Sequence, residues 1–162
     1  MPNVRRLSIA AVIAAALALA WLGGAITAAG AGSAPAANRA ELAAHEDPIG
    51  AKGRTLALSR VTIPTGVRLP LHFHEGTQVS YIDRGVLSYT VKTGSVRVMR
   101  GLADQSPKLV RTIRAGQTRT ITAGEWIVEQ PSDHHTALAK VRVVVLLATL
   151  LRNGAPPATP LK

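Results

Sequence analysis

Cysteine is absent from the 162 residues. Disulfides, thiolate metal sites, iron–sulfur clusters and cysteine nucleophiles are therefore excluded. Aromatic residues are scarce, 3% of the chain, although 47% of it is hydrophobic. Alanine, valine and leucine carry the apolar content, and so few aromatics cannot build a base-stacking platform or an aromatic cage. Negative charge is also short: nine Asp+Glu face nineteen Lys+Arg, a net charge of +10. The cations from Arg54 to Arg152 are scattered, with no basic run and no basic helix. That scatter argues against nucleic acid as a partner, and attraction to an anionic cell envelope or membrane surface is the plainer consequence. There is no Gly-rich phosphate loop and no G-x-S-x-G elbow.

Charge of either sign is missing from Leu7 to Asn38. Arg5-Arg6 precede this stretch, Leu7–Leu22 forms its apolar centre, and Gly23-Gly24 breaks it. Small residues follow, with Ala29-Gly30-Ala31 in the A-x-A cleavage pattern and Ala34-Pro35-Ala36 as a later match. Residues 1–31 thus read as a secretory signal peptide. An uncleaved membrane anchor is the alternative, because Leu7–Ala29 is long enough to span a bilayer. Either reading places the remainder outside the cytoplasm, secreted or tethered.

The remaining length suits one domain. Residues 32–52 are rich in Ala, Gly, Pro and Ser and read as a linker leading into the fold. Residues 53–152 alternate short apolar runs with turn residues. Ten strands are expected: Leu56–Ile63, Val67–His74, Gln78–Asp83, Val86–Lys92, Val96–Met99, Leu109–Ile113, Thr118–Ile121, Trp126–Glu129, Thr136–Ala139 and Val141–Leu150. Such spacing predicts an all-β sandwich or barrel. The valine-rich Val141–Leu150 run fits a buried strand, and equally an apolar face for a homodimer. Residues 153–162 contain Pro156, Pro157 and Pro160 and should form a loose tail.

Four of the five histidines fall in two places. His72 and His74 lie at i and i+2. On a strand they leave the same face, about 6.8 Å apart along the chain, and can converge on one ion. Glu75-Gly76 offers a turn, after which Gln78 opens the next strand and can lie beside the pair. The second place is Pro131-Ser132-Asp133-His134-His135, at the end of a strand, where a further imidazole can close the site. Neighbours on a strand face opposite sides, so one of His134 and His135 would point away. Glu129 and Asp133 flank this segment, each as an orienting partner for an imidazole or as a surface carboxylate.

The pattern Gly66-x5-His72-x-His74-x3-Gln78-x6-Gly85 resembles the first motif of the cupin superfamily, with Gln78 where glutamate is usual. Gly124, Pro131 and His135 resemble the second motif, in which Ser132 replaces a glycine and Ala139 an asparagine. The resemblance spans residues 50 to 152. It implies an antiparallel jelly-roll β-barrel with a divalent metal inside: Fe, Zn, Cu, Ni or Mn. The implied ligands are His72, His74, Gln78 and His135, with His134 as the competitor for the last place. All four are neutral, so the ion would keep its full charge and its Lewis acidity.

Three functions are compatible with these features. One is an exported binding protein with a small-molecule ligand at the metal. Another is a metal-dependent dioxygenase or related oxidoreductase, with Tyr81 or Glu129 moving protons. The last is a degenerate, metal-free barrel. Fold alone cannot choose among them.

Overall fold

A computed structural model describes residues 35–161. The expected signal or anchor, residues 1–31, lies outside the described residues. Twelve strands follow: β1 Asn38–Glu46, β2 Arg54–Ile63, β3 Arg68–Phe73, β4 Gly76–Arg84, β5 Val86–Val91, β6 Ser95–Arg100, β7 Lys108–Arg114, β8 Thr118–Thr122, β9 Glu125–Glu129, β10 His135–Ala139, β11 Val143–Arg152 and β12 Thr159–Pro160. Among the described residues there is no helix. The ten expected strands match β2 to β11, each within two residues at either end.

Two sheets form, ordered β1-β2-β11-β4-β9-β6-β7 and β12-β3-β10-β5-β8, with every pairing antiparallel. The pairings β2 with β11, β3 with β10, β4 with β9, and β5 with β8 are nested. Such nesting is one long hairpin rolled up, so that successive turns fall in opposite sheets. This is the jelly roll. The β6–β7 hairpin, β1 and β12 are additions that widen its two sheets.

Alternation along each strand sets which residues fill the roll. In β2 the inward set is Ala57, Ser59, Val61 and Ile63, and in β11 it is Val143, Val145, Leu147, Thr149 and Leu151. Together with Ile82, Leu87, Tyr89, Val91, Val96, Val98, Ile113, Ile121 and Ile127 they make one apolar interior. The Val141–Leu150 run mostly falls in β11, which lies between β2 and β4, and so it is a core strand. Its outward Ala148 lies between Leu58 and Val79, which are 45% and 38% exposed.

Two segments depart from the expected outline. Asn38–Glu46, within the stretch read as linker, is edge strand β1, paired with β2 from Asn38↔Thr62 to Glu46↔Thr55. The tail read as loose is tied down: Thr159 and Pro160 pair with Phe73 and His72, and the Leu161 amide donates to the Leu71 carbonyl. Prolines fix φ and remove donors, but an edge segment needs few donors, so a proline-rich tail can still dock.

Candidate metal centre

Register brings the histidines together. His72 is in β3 and His74 follows directly after its end, with Phe73 between them pointing the other way. His135 opens β10, and its Cα partner across the sheet is His72. The facing sheet supplies Gln78 from β4, whose register partner on β9 is Glu129. Imidazoles therefore project from one sheet, and an amide and a carboxylate from the other, into one cavity between them.

His72, His74 and His135 are all buried, and one nitrogen from each lies within 4.8 Å of the other two. Ring centroids are 4.3 Å apart for His72–His135, 5.0 Å for His72–His74 and 5.2 Å for His74–His135. His134 is excluded from this group; its ring packs on Phe73 at 5.5 Å. His45 is exposed on β1, and Glu75 pairs with Arg152 at 2.6 Å.

The protonation pattern follows from the acceptors. His72 Nδ1 lies 2.7 Å from the Pro70 carbonyl, His74 Nδ1 2.7 Å from that of Pro157, and His135 Nδ1 2.9 Å from that of Asp133. A carbonyl can only accept, so each Nδ1 carries the proton and donates it. The Nε2 atoms of His72 and His74 are then left for the cavity, as in histidines that ligate metals, while that of His135 lies 3.1 Å from Glu129 Oε1. His74 Nε2 and Gln78 Oε1 are buried and have no hydrogen-bond partner among the described residues. Two orphaned acceptors beside two more imidazoles are a set that a cation satisfies. Zn, Cu, Fe and Ni suit such an imidazole-rich set.

Glu129 changes the charge of this site. It is fully buried, accepts from Tyr89 Oη at 2.6 Å and Ser80 Oγ at 2.8 Å, and also accepts from Gln78 Nε2. Its Oε1 lies 3.1 Å from His135 Nε2. Burial alone would raise its pKa, but His135, His74 and the hydrogen bonds from Tyr89 and Gln78 outweigh that and hold it at about 2. Burial, then the charge of His135, pushes His72 down to about 4, and burial lowers His74. Burial and the Glu129 carboxylate hold the Tyr89 phenol proton well beyond its usual range. The expectation of an all-neutral surround is thus corrected. An ionised carboxylate stands beside His135, while Gln78 presents its amide nitrogen to that carboxylate and its oxygen to no partner.

Other roles also move. Asp133 orients His135 through its backbone carbonyl, whereas its carboxylate caps the Gln130 and Ser95 amides at 2.8 and 3.2 Å. Tyr81 is on the outward side of β4 and does not line the cavity. Tyr89 does line it, stacked on His135 at 4.9 Å. The inward alternation of β5, with Leu87 and Val91, was the available signal for Tyr89. The cavity measures about 220 Å3 and is otherwise mainly apolar, with Val61, Ile63, Leu69, Ile82 and Leu147 among its walls. Arg39 from β1 and Pro157, Ala158 and Pro160 from the tail complete it, and no sequence signal marked these four.

No family model matches the chain, and no curated protein matches it. Solved structures do. A cupin-like protein from Thermotoga maritima is 18% identical, with 77% of this chain and 75% of that one covered at a TM-score of 0.49. A cupin 2 domain-containing protein from Halorhodospira halophila is 14% identical over 78% and 71%, also at 0.49. A polyketide cyclase from Streptomyces resistomycificus is 17% identical over 78% and 71%, at 0.48. Likeness at this level gives this chain no activity and no ligand; the jelly roll is read from its own strand order.

Proposed function

We propose that this is an exported, cupin-type protein that binds a divalent transition metal through His72, His74 and His135, with Gln78 Oε1 as a weaker fourth ligand, and a small molecule at the ion. One observation carries the reading: three Nδ1–H groups tied to carbonyls leave three Nε2 positions turned to one cavity, that of His74 buried without a partner. A bound divalent ion would supply Lewis acidity there. The chain's own contribution is to fix the ring orientations, to set a buried carboxylate beside His135, and to wall the space with apolar side chains that exclude water.

The oxidoreductase reading shares these ligands but needs a free proton acceptor. Glu129 already accepts from Tyr89, Ser80 and Gln78, so it acts as a fixed counter-charge rather than a base. Tyr81 faces outward. Binding is therefore the better-supported function.

Export rests on Arg5-Arg6 and the uncharged stretch to Asn38, and fractionation of the native host checks it; full-length chain in the cytoplasm would overturn it. The metal reading is tested by elemental analysis of chain purified without a His tag. Stoichiometric metal in the wild type is expected, lost in His72→Ala, His74→Ala and His135→Ala but kept in His134→Ala. Loss in His134→Ala with retention in His135→Ala would reverse the assignment.

A further inference from the structure

Away from the histidines, Gln78 and the hydrogen-bonded Glu129, the cavity has an apolar body and one cation. Arg39 is the single Lys or Arg among its lining residues. It is also the one residue of β1 that is partly buried rather than exposed, and its register partner Val61 is itself part of the cavity wall. No carboxylate among the described residues lies within ion-pair distance of it. Glu41, two residues on, acts on it only at longer range, and burial lowers its pKa. Its charge reaches His74, whose pKa it helps to lower.

A half-buried guanidinium with no close counter-ion is an incomplete arrangement. Partial burial costs an ion hydration, and a paired anion restores it. Arg39 lines the same space as the three imidazoles, and also a neighbouring recess with Glu41 and Arg152. A volume of about 220 Å3 is below the roughly 300–1,000 Å3 of pockets for drug-sized ligands, so the occupant is small. A single cation matches a single negative charge. Planar bidentate pairing favours a carboxylate, and the wall of Val, Ile, Leu and Pro favours an apolar body.

We propose that Arg39 selects a small apolar monocarboxylate for this cavity, its carboxylate on the guanidinium and its hydrocarbon part among Val61, Ile63, Leu69 and Leu147, next to the histidine triad. This ligand class rests on the proposed metal-binding function only for the ion at the inner end; the Arg39 contact exists with or without it.

The probes are butanoate, hexanoate and benzoate, each compared with its neutral amide, titrated calorimetrically into the purified full chain with metal content measured on the same samples. The wild type should bind the acids and not the amides. Arg39→Ala should weaken acid binding about ten- to a hundred-fold, the range for a charged hydrogen-bonded pair, with unchanged metal content and an unchanged circular dichroism spectrum. Arg39→Lys should recover part of the affinity, since it keeps the charge and loses the fork. Equal binding by wild type and Arg39→Ala, or no preference for acid over amide, overturns the proposal. Absence of metal from a wild type that still discriminates acid from amide overturns the metal reading and leaves this one standing.

Discussion

Gln78 and Glu129 form a unit, and their pairing decides what each substitution does. The Gln78 amide donates to the Glu129 carboxylate, which holds it in place and turns its own oxygen free. Gln78→Glu would set a second carboxylate against one that is already ionised at neutral pH. Like charges at hydrogen-bond distance oppose each other in a buried site, and a bound cation relieves them. The metal-free Gln78→Glu protein should therefore melt below the wild type, while added metal should raise its melting temperature by more than it raises the wild type's. Thermal melts with and without zinc measure both, and an unchanged metal-free melt would show that the two side chains do not oppose each other. Glu129→Gln tests the other half. The amide oxygen can still accept from Tyr89, and the amide nitrogen can donate to Ser80 Oγ where the carboxylate accepted from it, so the fold should hold, but the negative charge 3.1 Å from His135 Nε2 is lost. Metal affinity should fall about tenfold or more, by analogy with other groups that support ligating histidines.

At the scale of elements, ten strands were legible because most carry an inward apolar alternation, as in the Leu87, Tyr89, Val91 series of β5, and turn residues bound the short β7 and β8. β1 was not legible, and its side chains say why: Asn-Arg-Ala-Glu-Leu-Ala-Ala-His-Glu is exposed at all but Arg39. Backbone hydrogen bonds to β2 hold it, and hydrogen bonds leave no hydrophobic period in a sequence. β12 was hidden by its prolines. The histidines were legible through their two-residue spacing, whereas the partners fixing their tautomers were not, since three are main-chain carbonyls that any residue can supply. The tail is one such partner, with the Pro157 carbonyl on His74 Nδ1. Ending the chain at Gly154 should keep the β-rich spectrum but weaken metal binding by freeing the His74 ring and opening one wall of the cavity. Calorimetric metal titration of the shortened chain checks this, and unchanged affinity would show that Pro157 does not matter. Gly85, at the turn between β4 and β5, has φ +88°, and an added Cβ would overlap the Arg142 carbonyl. Gly85→Ala should cost well over 1 kcal/mol, from strain and overlap together.

The whole molecule couples its stability to protons and metal through the buried histidines. His72 has a pKa of about 4 in the folded chain against roughly 6.5 when unfolded. Between those values the unfolded chain takes up a proton that the folded chain refuses, so acid favours unfolding. Stability from this group is complete above pH 6.5 and lost as pH falls to about 4, a change of order 3 kcal/mol. His74 acts in the same direction, because its pKa is also lowered. Glu129, held at about 2, extends the loss: its contribution is present above the usual carboxylate range near 4.5 and disappears as pH falls toward 2. A divalent ion binds the same neutral imidazoles and opposes their protonation, and it stabilises the fold by mass action. Denaturant unfolding of metal-free chain should give a midpoint that is level above pH 7 and drops steadily from pH 6.5 to 4. Saturating zinc should raise the midpoint at pH 7 and displace the drop to lower pH. A metal-free midpoint that rises on acidification would mean that the histidines gain charge favourably in the fold, which is incompatible with their burial and with their closeness to each other.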